Sequence, residues 1–231
     1  MTNPAGQHRR QYTFLLAPIE RRVLDFLVRR LPARVMPDHL TVLGLFASTL
    51  IGVSYMLSNR NEDWLWMASF AIVLNWFGDS LDGSLARFRK IERPRYGFYL
   101  DHLTDAYSTL LIGLGLGLSP YMLLSVGLAI VIAYLLLSIN VYLETHVFGD
   151  FRFSYGRFGP TEVRVALIFL NTMALLWGPL PFGIRGIGAT IFDVAGVAVV
   201  LVMLGLLVAR ASANLRLLGA MEPPGRGRGN G

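Results

Sequence analysis

Four aspartates lie close together in the segment "GDSLDGSLARFRKIERPRYGFYLDHLTDAYS", which begins at Gly78. Asp79 and Asp82 are three residues apart, and Asp101 and Asp105 are four apart, so each pair occupies one face of a helix. If two antiparallel helices carry them, the short connection brings the pairs together. Four converging carboxylates repel one another unless cations lie among them. Hard oxygen ligands with basic residues nearby favour Mg²⁺ or Mn²⁺ and a phosphate-bearing substrate.

Small residues accompany these acids at helical spacing. Gly83 follows Asp79 by one turn, Ala86 follows Asp82 by one turn, and Gly97 precedes the third aspartate by one turn. Such surfaces let a ligand approach the backbone, although small residues in membrane helices also serve helix packing. The positive charge beside the acids comes from Arg87, Arg89, Lys90, Arg93 and Arg95. The combination indicates a binding site rather than a set of solvated helix ends.

The elements that must position these residues are membrane helices. The chain has 231 residues, is 54% hydrophobic and only 16% charged, and has a mean hydropathy of +0.51. Uncharged runs near the 20 residues that a bilayer core requires recur along it, and the longest run breaks at Ser119-Pro120. We predict an all-α integral membrane protein with six transmembrane helices, at residues 40–59, 64–85, 97–118, 121–145, 162–178 and 188–210.

The segments outside these spans are predicted as follows. Residues 18–31, "PIERRVLDFLVRRL", have apolar positions at helical spacing and form an amphipathic interfacial helix within a cytosolic N-terminus of residues 1–39. Residues 40–210 form the six-span domain. The Pro/Gly/Arg-rich tail, residues 211–231, is expected to be cytosolic and disordered. Asp193 is expected to begin the last span or to hydrogen-bond a neighbour.

The basic residues predict the orientation in the membrane. With six spans, 19 of the 21 lysines and arginines fall on one side, and only Arg60 and Arg185 fall on the other. The positive-inside rule makes the first side cytosolic, with both termini and the carboxylates there. The net charge of +6 therefore fits orientation and anionic lipid rather than nucleic acid. The chain has no cysteine, so a disulfide framework is excluded.

The carboxylate segment resembles the signature of a known family, the CDP-alcohol phosphotransferases, also called CDP-alcohol phosphatidyltransferases. The segments "MPDHLTVLGL" and "GRFGPTEVR" resemble further parts of such proteins, the second in some bacterial members. Nine residues separate the two halves of the signature, all positions of which are filled: Asp79, Asp82, Gly83, Ala86, Arg87, Gly97, Asp101 and Asp105.

The resemblance implies an enzyme of phospholipid biosynthesis, typically a homodimer in the bacterial cytoplasmic membrane. Such enzymes move the phosphoalcohol part of a CDP-alcohol to a hydroxyl acceptor and release CMP. Asp105 is then the candidate general base. Two divalent ions, Mg²⁺ or Mn²⁺, would bind Asp79, Asp82, Asp101 and Asp105 and neutralise the donor diphosphate. The nucleotide would bind at Asp79, Gly83, Ala86 and Arg87.

The identity of the substrates stays open at this point. One alternative is CDP-diacylglycerol with a small polar alcohol, and the other is a CDP-aminoalcohol of the choline or ethanolamine type with a lipid hydroxyl. His102, directly after the third aspartate, favours the second. A remote alternative is a divalent-cation transporter that uses the acids as its pathway. Candidates for the acceptor pocket are His102, Glu144, Arg152, Arg157, Glu162 and Arg164.

The predicted orientation has a direct test. Because the chain has no cysteine, single cysteines placed at Arg93 and at Arg60 report on opposite sides of the membrane. We expect an impermeant maleimide added outside intact cells to label the cysteine at Arg60 and to leave the one at Arg93 unlabelled. Labelling of the Arg93 position only from outside would overturn the topology.

Overall fold

The computed structural model describes residues 14–148, 159–184 and 187–222. This part of the chain folds into seven helices and one two-stranded antiparallel hairpin. The elements are α1 (Ala17–Val28), α2 (Pro37–Leu57), α3 (Trp64–Arg89), α4 (Pro94–Gly117), α5 (Leu124–Phe148), α6 (Pro160–Trp177), β1 (Pro181–Ile184), β2 (Ile187–Thr190) and α7 (Ile191–Met221).

Helices α2 to α7 lie at the positions of the six predicted spans. By length and composition, α2, α5 and α7 are long and apolar enough to cross a membrane. The other three carry the charged residues of the carboxylate segment and of the start of α6, which lowers their hydropathy. The helical membrane architecture is therefore confirmed, and the count of six spans stays a prediction.

Helix α1 is amphipathic and has two different apolar surfaces. One surface packs Val28, with Leu24 and Leu27, against a cluster that includes Leu81 and Leu85 of α3. A second, exposed surface carries apolar side chains one turn apart, and these are Leu15, Ile19, Val23 and Phe26. A helix that buries one face against the protein and leaves a neighbouring apolar face uncovered is suited to lie at a lipid surface.

Helix α2 lies at the centre of the helix arrangement, because it packs against both α3 and α4, while α6 packs on α3 and α5 packs on α4. Glycines make these contacts close. A Cβ at Gly78 would lie 2.6 Å from the backbone nitrogen of Gly44, and a Cβ at Gly115 would lie 2.6 Å from the Cα of Gly52. The backbones of α3 and α4 thus both approach the backbone of α2.

A four-residue connection joins α3 to α4. Lys90 ends α3 in a left-handed conformation, with φ of 55°. The Arg89 guanidinium donates to four carbonyl oxygens of the segment between α1 and α2, which have no helical partner. Arg93 forms an ion pair with Asp38 at the start of α2. Arg89 at the end of α3 and Arg93 in the connection therefore hold neighbouring backbone and helix ends together.

The C-terminal third differs from the prediction at two points. The hairpin between α6 and α7, in which Pro181 pairs with Thr190, was not predicted. Helix α7 also continues to Met221, so the prediction of a disordered tail from residue 211 is wrong for residues 211–221. The stretch "RASANLRLLGAM" consists mainly of good helix formers. The first strong helix breakers come after it, at Pro223 and Pro224.

Asp193 lies at the start of the last helix, α7, as predicted. Its Oδ2 accepts a hydrogen bond of 2.7 Å from the backbone of Thr190, whose side chain in turn accepts from the first turn of α7. Its Oδ1 accepts a hydrogen bond of 2.7 Å from the backbone nitrogen of Leu123. This buried acid is a helix cap that also ties α7 to the segment before α5.

The close glycine contacts make a specific prediction. Gly115→Ala places a methyl group against the α2 backbone, and overpacking of this kind costs about 1–3 kcal/mol. Gly205→Ala is the matched control, because a Cβ at that position of α7 meets nothing within 4 Å. We expect thermal unfolding in detergent micelles to show a lower midpoint for Gly115→Ala and no loss for Gly205→Ala. Equal midpoints would contradict the close-packing account.

Candidate functional site

Three of the predicted metal ligands come together at the junction of α3 and α4. Asp79, Asp101 and Asp105 each offer one carboxylate oxygen, and these oxygens lie within 4.8 Å of one another. All three residues are partly buried. Asp79 of α3 therefore comes together with both aspartates of α4.

The fourth predicted ligand, Asp82, lies in the same narrow crevice but outside this group of three. Its Oδ2 accepts a hydrogen bond of 2.7 Å from the Thr41 hydroxyl of α2, and its Oδ1 accepts one of 2.5 Å from the Gly83 backbone. Thr41, Asp79 and Asp82 all line the crevice, together with Thr104. These hydrogen bonds fix Asp82 beside the group without filling all of its acceptor positions.

The residues present fit a divalent cation. Carboxylate oxygens are the ligands that Mg²⁺ and Mn²⁺ prefer. Three such oxygens from Asp79, Asp101 and Asp105 converge within 4.8 Å, and a fourth carboxylate, that of Asp82, lines a crevice together with Asp79. Their mutual repulsion in a partly buried place favours binding of positive charge. The group can therefore hold a metal, whose identity its geometry does not distinguish.

Arg164 of α6 is the basic residue that joins this cluster. Its Nη2 donates a hydrogen bond of 2.6 Å to Oδ2 of Asp79, and its Nε donates one of 3.0 Å to Oδ1 of Asn75. The Asn75 amide nitrogen donates to the Gly44 carbonyl at 3.1 Å and to the Ser48 hydroxyl at 2.9 Å. A buried polar network thus connects α2, α3 and α6 directly behind the carboxylates.

Two other predicted acceptor-pocket residues lie away from the carboxylates and are engaged elsewhere. Buried Glu162 accepts hydrogen bonds from the backbone of Gly159 at 2.9 Å and of Leu16 at 2.8 Å, so it caps α6. Buried Glu144 forms an ion pair of 2.7 Å with Arg210 of α7 and also accepts from the side-chain amides of Asn140 and Asn214. Arg152 and Arg157 lie outside the described residues.

A comparison of the sequence with known protein families gives a match over most of the chain. The profile of the CDP-alcohol phosphatidyltransferases matches residues 34–209. The chain belongs to the CDP-alcohol phosphatidyltransferase family. Members of this family are transferases of phosphate-containing groups. All eight signature positions, with the carboxylate group among them, fall inside the match.

One curated relative is a phosphatidylinositol phosphate synthase from Cutibacterium acnes. The two sequences are 31% identical over 103 residues, which is 44% of this chain and 45% of the relative. The matched stretch thus spans less than half of either phosphatidyltransferase.

The positions that the phosphatidyltransferase signature reserves for small residues are open or lightly covered. A Cβ at Gly97 would meet nothing within 4 Å. A Cβ at Gly83 would lie 3.3 Å from the guanidinium of Arg87, which is exposed and donates to the Ser84 hydroxyl. Among the described residues, the atoms nearest to a Cβ at Gly83 therefore belong to the end of an exposed side chain of the same signature.

His102 is directed toward aromatic neighbours. Its Nδ1 lies 2.6 Å from the carbonyl oxygen of Phe98, one turn earlier on α4, so this nitrogen is the donor. Its ring centroid lies 4.1 Å from that of Phe98 and 4.8 Å from that of Tyr142 on α5. These contacts orient the ring between α4 and α5.

The sequence analysis of this phosphatidyltransferase missed three polar residues of the site, Thr41, Asn75 and Glu20. The sequence could have indicated Asn75, since it is an amide inside the apolar run "WLWMASFAIVLNWFG". A polar side chain in such a run requires a buried hydrogen-bond partner. The sequence gives no such indication for Thr41 and Glu20, because both lie where polar residues commonly face water. Their partners on other helices give them their place in the site.

Glu20 joins three elements around Asp79. Its Oε1 accepts hydrogen bonds from Trp76 Nε1 at 2.9 Å, from the Ser80 hydroxyl at 3.2 Å and from the Thr161 hydroxyl at 2.7 Å. Trp76 and Ser80 flank Asp79 on α3, and Thr161 precedes Arg164 by one turn on α6. Helix α1 therefore holds α6 against α3 beside Asp79.

This junction predicts that Glu20→Ala destabilises the protein by about 1–3 kcal/mol, because three donors lose their acceptor. Glu20→Gln should keep most of the stability, since its amide oxygen still accepts. Asp25→Ala, at an exposed position of the same helix, should change stability by less than about 0.5 kcal/mol. Denaturant unfolding in detergent measures all three, and equal losses for Glu20→Ala and Asp25→Ala would refute the role.

Proposed function

We propose that this chain is a metal-dependent phosphatidyltransferase, which moves a phosphatidyl group from CDP-diacylglycerol to a hydroxyl acceptor and releases CMP. The observation that carries the proposal is the group of Asp79, Asp101 and Asp105 oxygens within 4.8 Å, beside the Arg164 guanidinium. The family supports a CDP-alcohol donor. The name of the relative, a phosphatidylinositol phosphate synthase, supports phosphatidyl as the transferred group.

The reaction exchanges a phosphoanhydride bond at phosphorus for an ester bond. The acceptor oxygen forms a bond to the phosphorus of the phosphatidyl group, and the bond from that phosphorus to the CMP oxygen breaks. Bound divalent metal supplies neutralisation of the charge that develops on the diphosphate. Asp105 takes the proton of the acceptor hydroxyl, because an alcohol is a weak nucleophile and a nearby carboxylate raises its reactivity.

The other carboxylates hold the metal in this proposal. Asp79 and Asp101 present their oxygens to the same volume as Asp105. Asp82, fixed by Thr41, contributes its remaining acceptor capacity to a second cation in the same crevice. Asp82 therefore has a narrower range of positions than a solvated carboxylate, which favours binding of a small ion with strict geometry.

The nucleotide is proposed to lie over the small residues of α3. Gly83 and Ala86 leave the helix surface low, and the exposed Arg87 guanidinium can move from its place over Gly83 to meet a phosphate. Asp79 borders this surface on the metal side. The donor would then extend from the small-residue surface to the carboxylates, with its diphosphate at the metal.

The acceptor is proposed to be a small polar alcohol. The relative's name suggests a phosphorylated polyol, and a phosphate on the acceptor would find positive charge at Arg164. The alternative, a CDP-aminoalcohol donor with a lipid acceptor, is favoured only by His102. That side chain contacts Phe98 and Tyr142, so we place it second.

The protein is further proposed to act as a homodimer in the bacterial cytoplasmic membrane, with the site and both termini on the cytosolic side. The bias of 19 basic residues to that side supports the orientation. The exposed apolar face of α1, with Ile19, Val23 and Phe26, supports a position of that helix at the lipid headgroups.

The experiment that tests the function is an assay of CMP release. Purified protein is incubated with Mg²⁺ or Mn²⁺ and either CDP-diacylglycerol or CDP-choline, with a panel of alcohols that includes inositol, inositol phosphate and diacylglycerol. We expect release with CDP-diacylglycerol and a polar alcohol, and none in excess EDTA. Release with CDP-choline alone would favour the alternative. Release of no CMP, with metal flux in liposomes, would favour a transporter.

Asp105→Asn tests the general base. The amide keeps the shape of the side chain but accepts no proton, so turnover should fall by about 10²–10⁴-fold. Binding of CDP-diacylglycerol, measured by calorimetry, should fall much less. The exposed Asp25→Asn is the control and should leave both quantities unchanged. The assignment fails if raising the metal concentration fully restores the turnover of Asp105→Asn.

A further inference from the structure

We propose that Arg164 is an internal counter-cation for Asp79, which competes with divalent metal for this carboxylate until an anionic donor binds. The inference rests on the proposed function, since it concerns how the same site takes up metal and donor. It predicts that metal and donor each bind more tightly in the presence of the other. The Arg164 guanidinium, rather than a conformational change of the helices, would be the origin of this coupling.

The first support is the contact itself. Nη2 of Arg164 lies 2.6 Å from Oδ2 of Asp79, and the two side chains are only 17% and 25% exposed. Charge-assisted hydrogen bonds of this length are stronger than neutral ones, and partial burial reduces the screening that makes surface ion pairs weak. The same Asp79 supplies an oxygen to the three-carboxylate group. Arg164 therefore forms an ion pair with a carboxylate that a metal would also require.

The second support is that a chain of hydrogen bonds holds the Arg164 side chain in place. Its Nε donates to Asn75, which is buried and is itself held by the Gly44 carbonyl and the Ser48 hydroxyl. Ser48 in turn forms a hydrogen bond of 2.7 Å with Ser108 of α4. The guanidinium is thus a fixed positive charge at the site, and it disfavours a second cation there by direct repulsion.

The third support is that three other arginines of the described α3–α4 segment contact other groups. Arg89 donates to carbonyl oxygens before α2, and Arg93 pairs with Asp38. Arg87 is exposed and contacts Ser84. Among the described residues, Arg164 is the basic side chain in direct contact with the carboxylate group. The effect of the contact with Asp79 can therefore be tested at Arg164.

Binding of an anionic donor changes the charge balance between Arg164 and Asp79. A guanidinium has five N–H donors, and the described contacts with Asp79 and Asn75 use two of them. A diphosphate at the carboxylates gives Arg164 new acceptors and balances its charge, so Asp79 becomes available to metal. Because coupling between two ligands is reciprocal, metal must raise donor affinity by the same factor, typically about 5- to 150-fold.

The experiment measures Mn²⁺ binding directly, without turnover. Free and bound Mn²⁺ are separated by EPR as the ion is added to purified protein, with and without CDP as an unreactive diphosphate. Chelation by CDP itself is subtracted with a protein-free series. For the wild-type chain we expect CDP to raise the Mn²⁺ affinity by at least about fivefold.

Arg164→Gln separates the proposed role from a merely structural one. Loss of the competing charge should raise Mn²⁺ affinity without CDP by about tenfold or more, and the further gain with CDP should shrink. A structural role would instead lower Mn²⁺ affinity. Arg164→Lys keeps the charge and should stay close to the wild type without CDP. Arg210→Gln is the matched control, because Arg210 pairs with Glu144 at 2.7 Å on other helices. It should leave Mn²⁺ affinity unchanged.

Two results would overturn the inference alone. One is a folded Arg164→Gln protein that binds Mn²⁺ no more tightly than wild type. The other, which does not depend on any variant folding, is a wild-type affinity that CDP leaves unchanged. If the wild type binds no Mn²⁺ with or without CDP, both the inference and the proposed metal-dependent function fail. If CMP release proves metal-dependent while the coupling is absent, only the inference fails.

Discussion

Repulsion among carboxylates in a small, partly buried volume is the constraint on which the rest of this structure depends. Asp79, Asp101 and Asp105 bring oxygens within 4.8 Å of one another, at the junction of helices that are otherwise largely apolar. Charge in such a place must be balanced by groups that the protein provides or binds. Arg164 balances one carboxylate, so the arrangement favours binding of further positive charge. The same imbalance that makes the site costly also makes it able to bind a cation.

The helix packing brings these charges together. Glycines let the backbones of α3 and α4 both approach α2, and α2 contributes Thr41 to Asp82 and Ser48 to the network behind Arg164. At the same end of the helices, Glu20 of α1 holds α6 against α3. Helix α1 therefore supports the site and also carries an exposed apolar surface that is suited to lipid. The close packing, the polar network and helix α1 all act on the same few residues.

Much of the fold could be predicted, because its signals are local. Uncharged runs predicted helices at the six positions where α2 to α7 lie, and apolar spacing predicted α1. The hairpin before α7 was missed, since four-residue strands leave almost no periodic pattern. The end of α7 was placed too early, at residue 210 rather than Met221. At residue 210 the composition changes from apolar to polar. The helix nevertheless continues beyond the apolar run, because the polar residues that follow include good helix formers.

The sequence by itself determined that Asp79 and Asp82 share one helix face and that Asp101 and Asp105 share another, because three- and four-residue spacings place side chains on one helix face whatever the rest of the chain does. It also determined that little side-chain volume lies beside them on the helix surface, since glycine and alanine have small side chains. Only the tertiary structure decided that Arg164 contacts Asp79 across 85 positions, while Glu162 and Glu144, equally plausible by type, serve as a cap and as a tie to α7. The physical reason is that partners on different helices are set by the packing of all the helices together, which no local spacing contains.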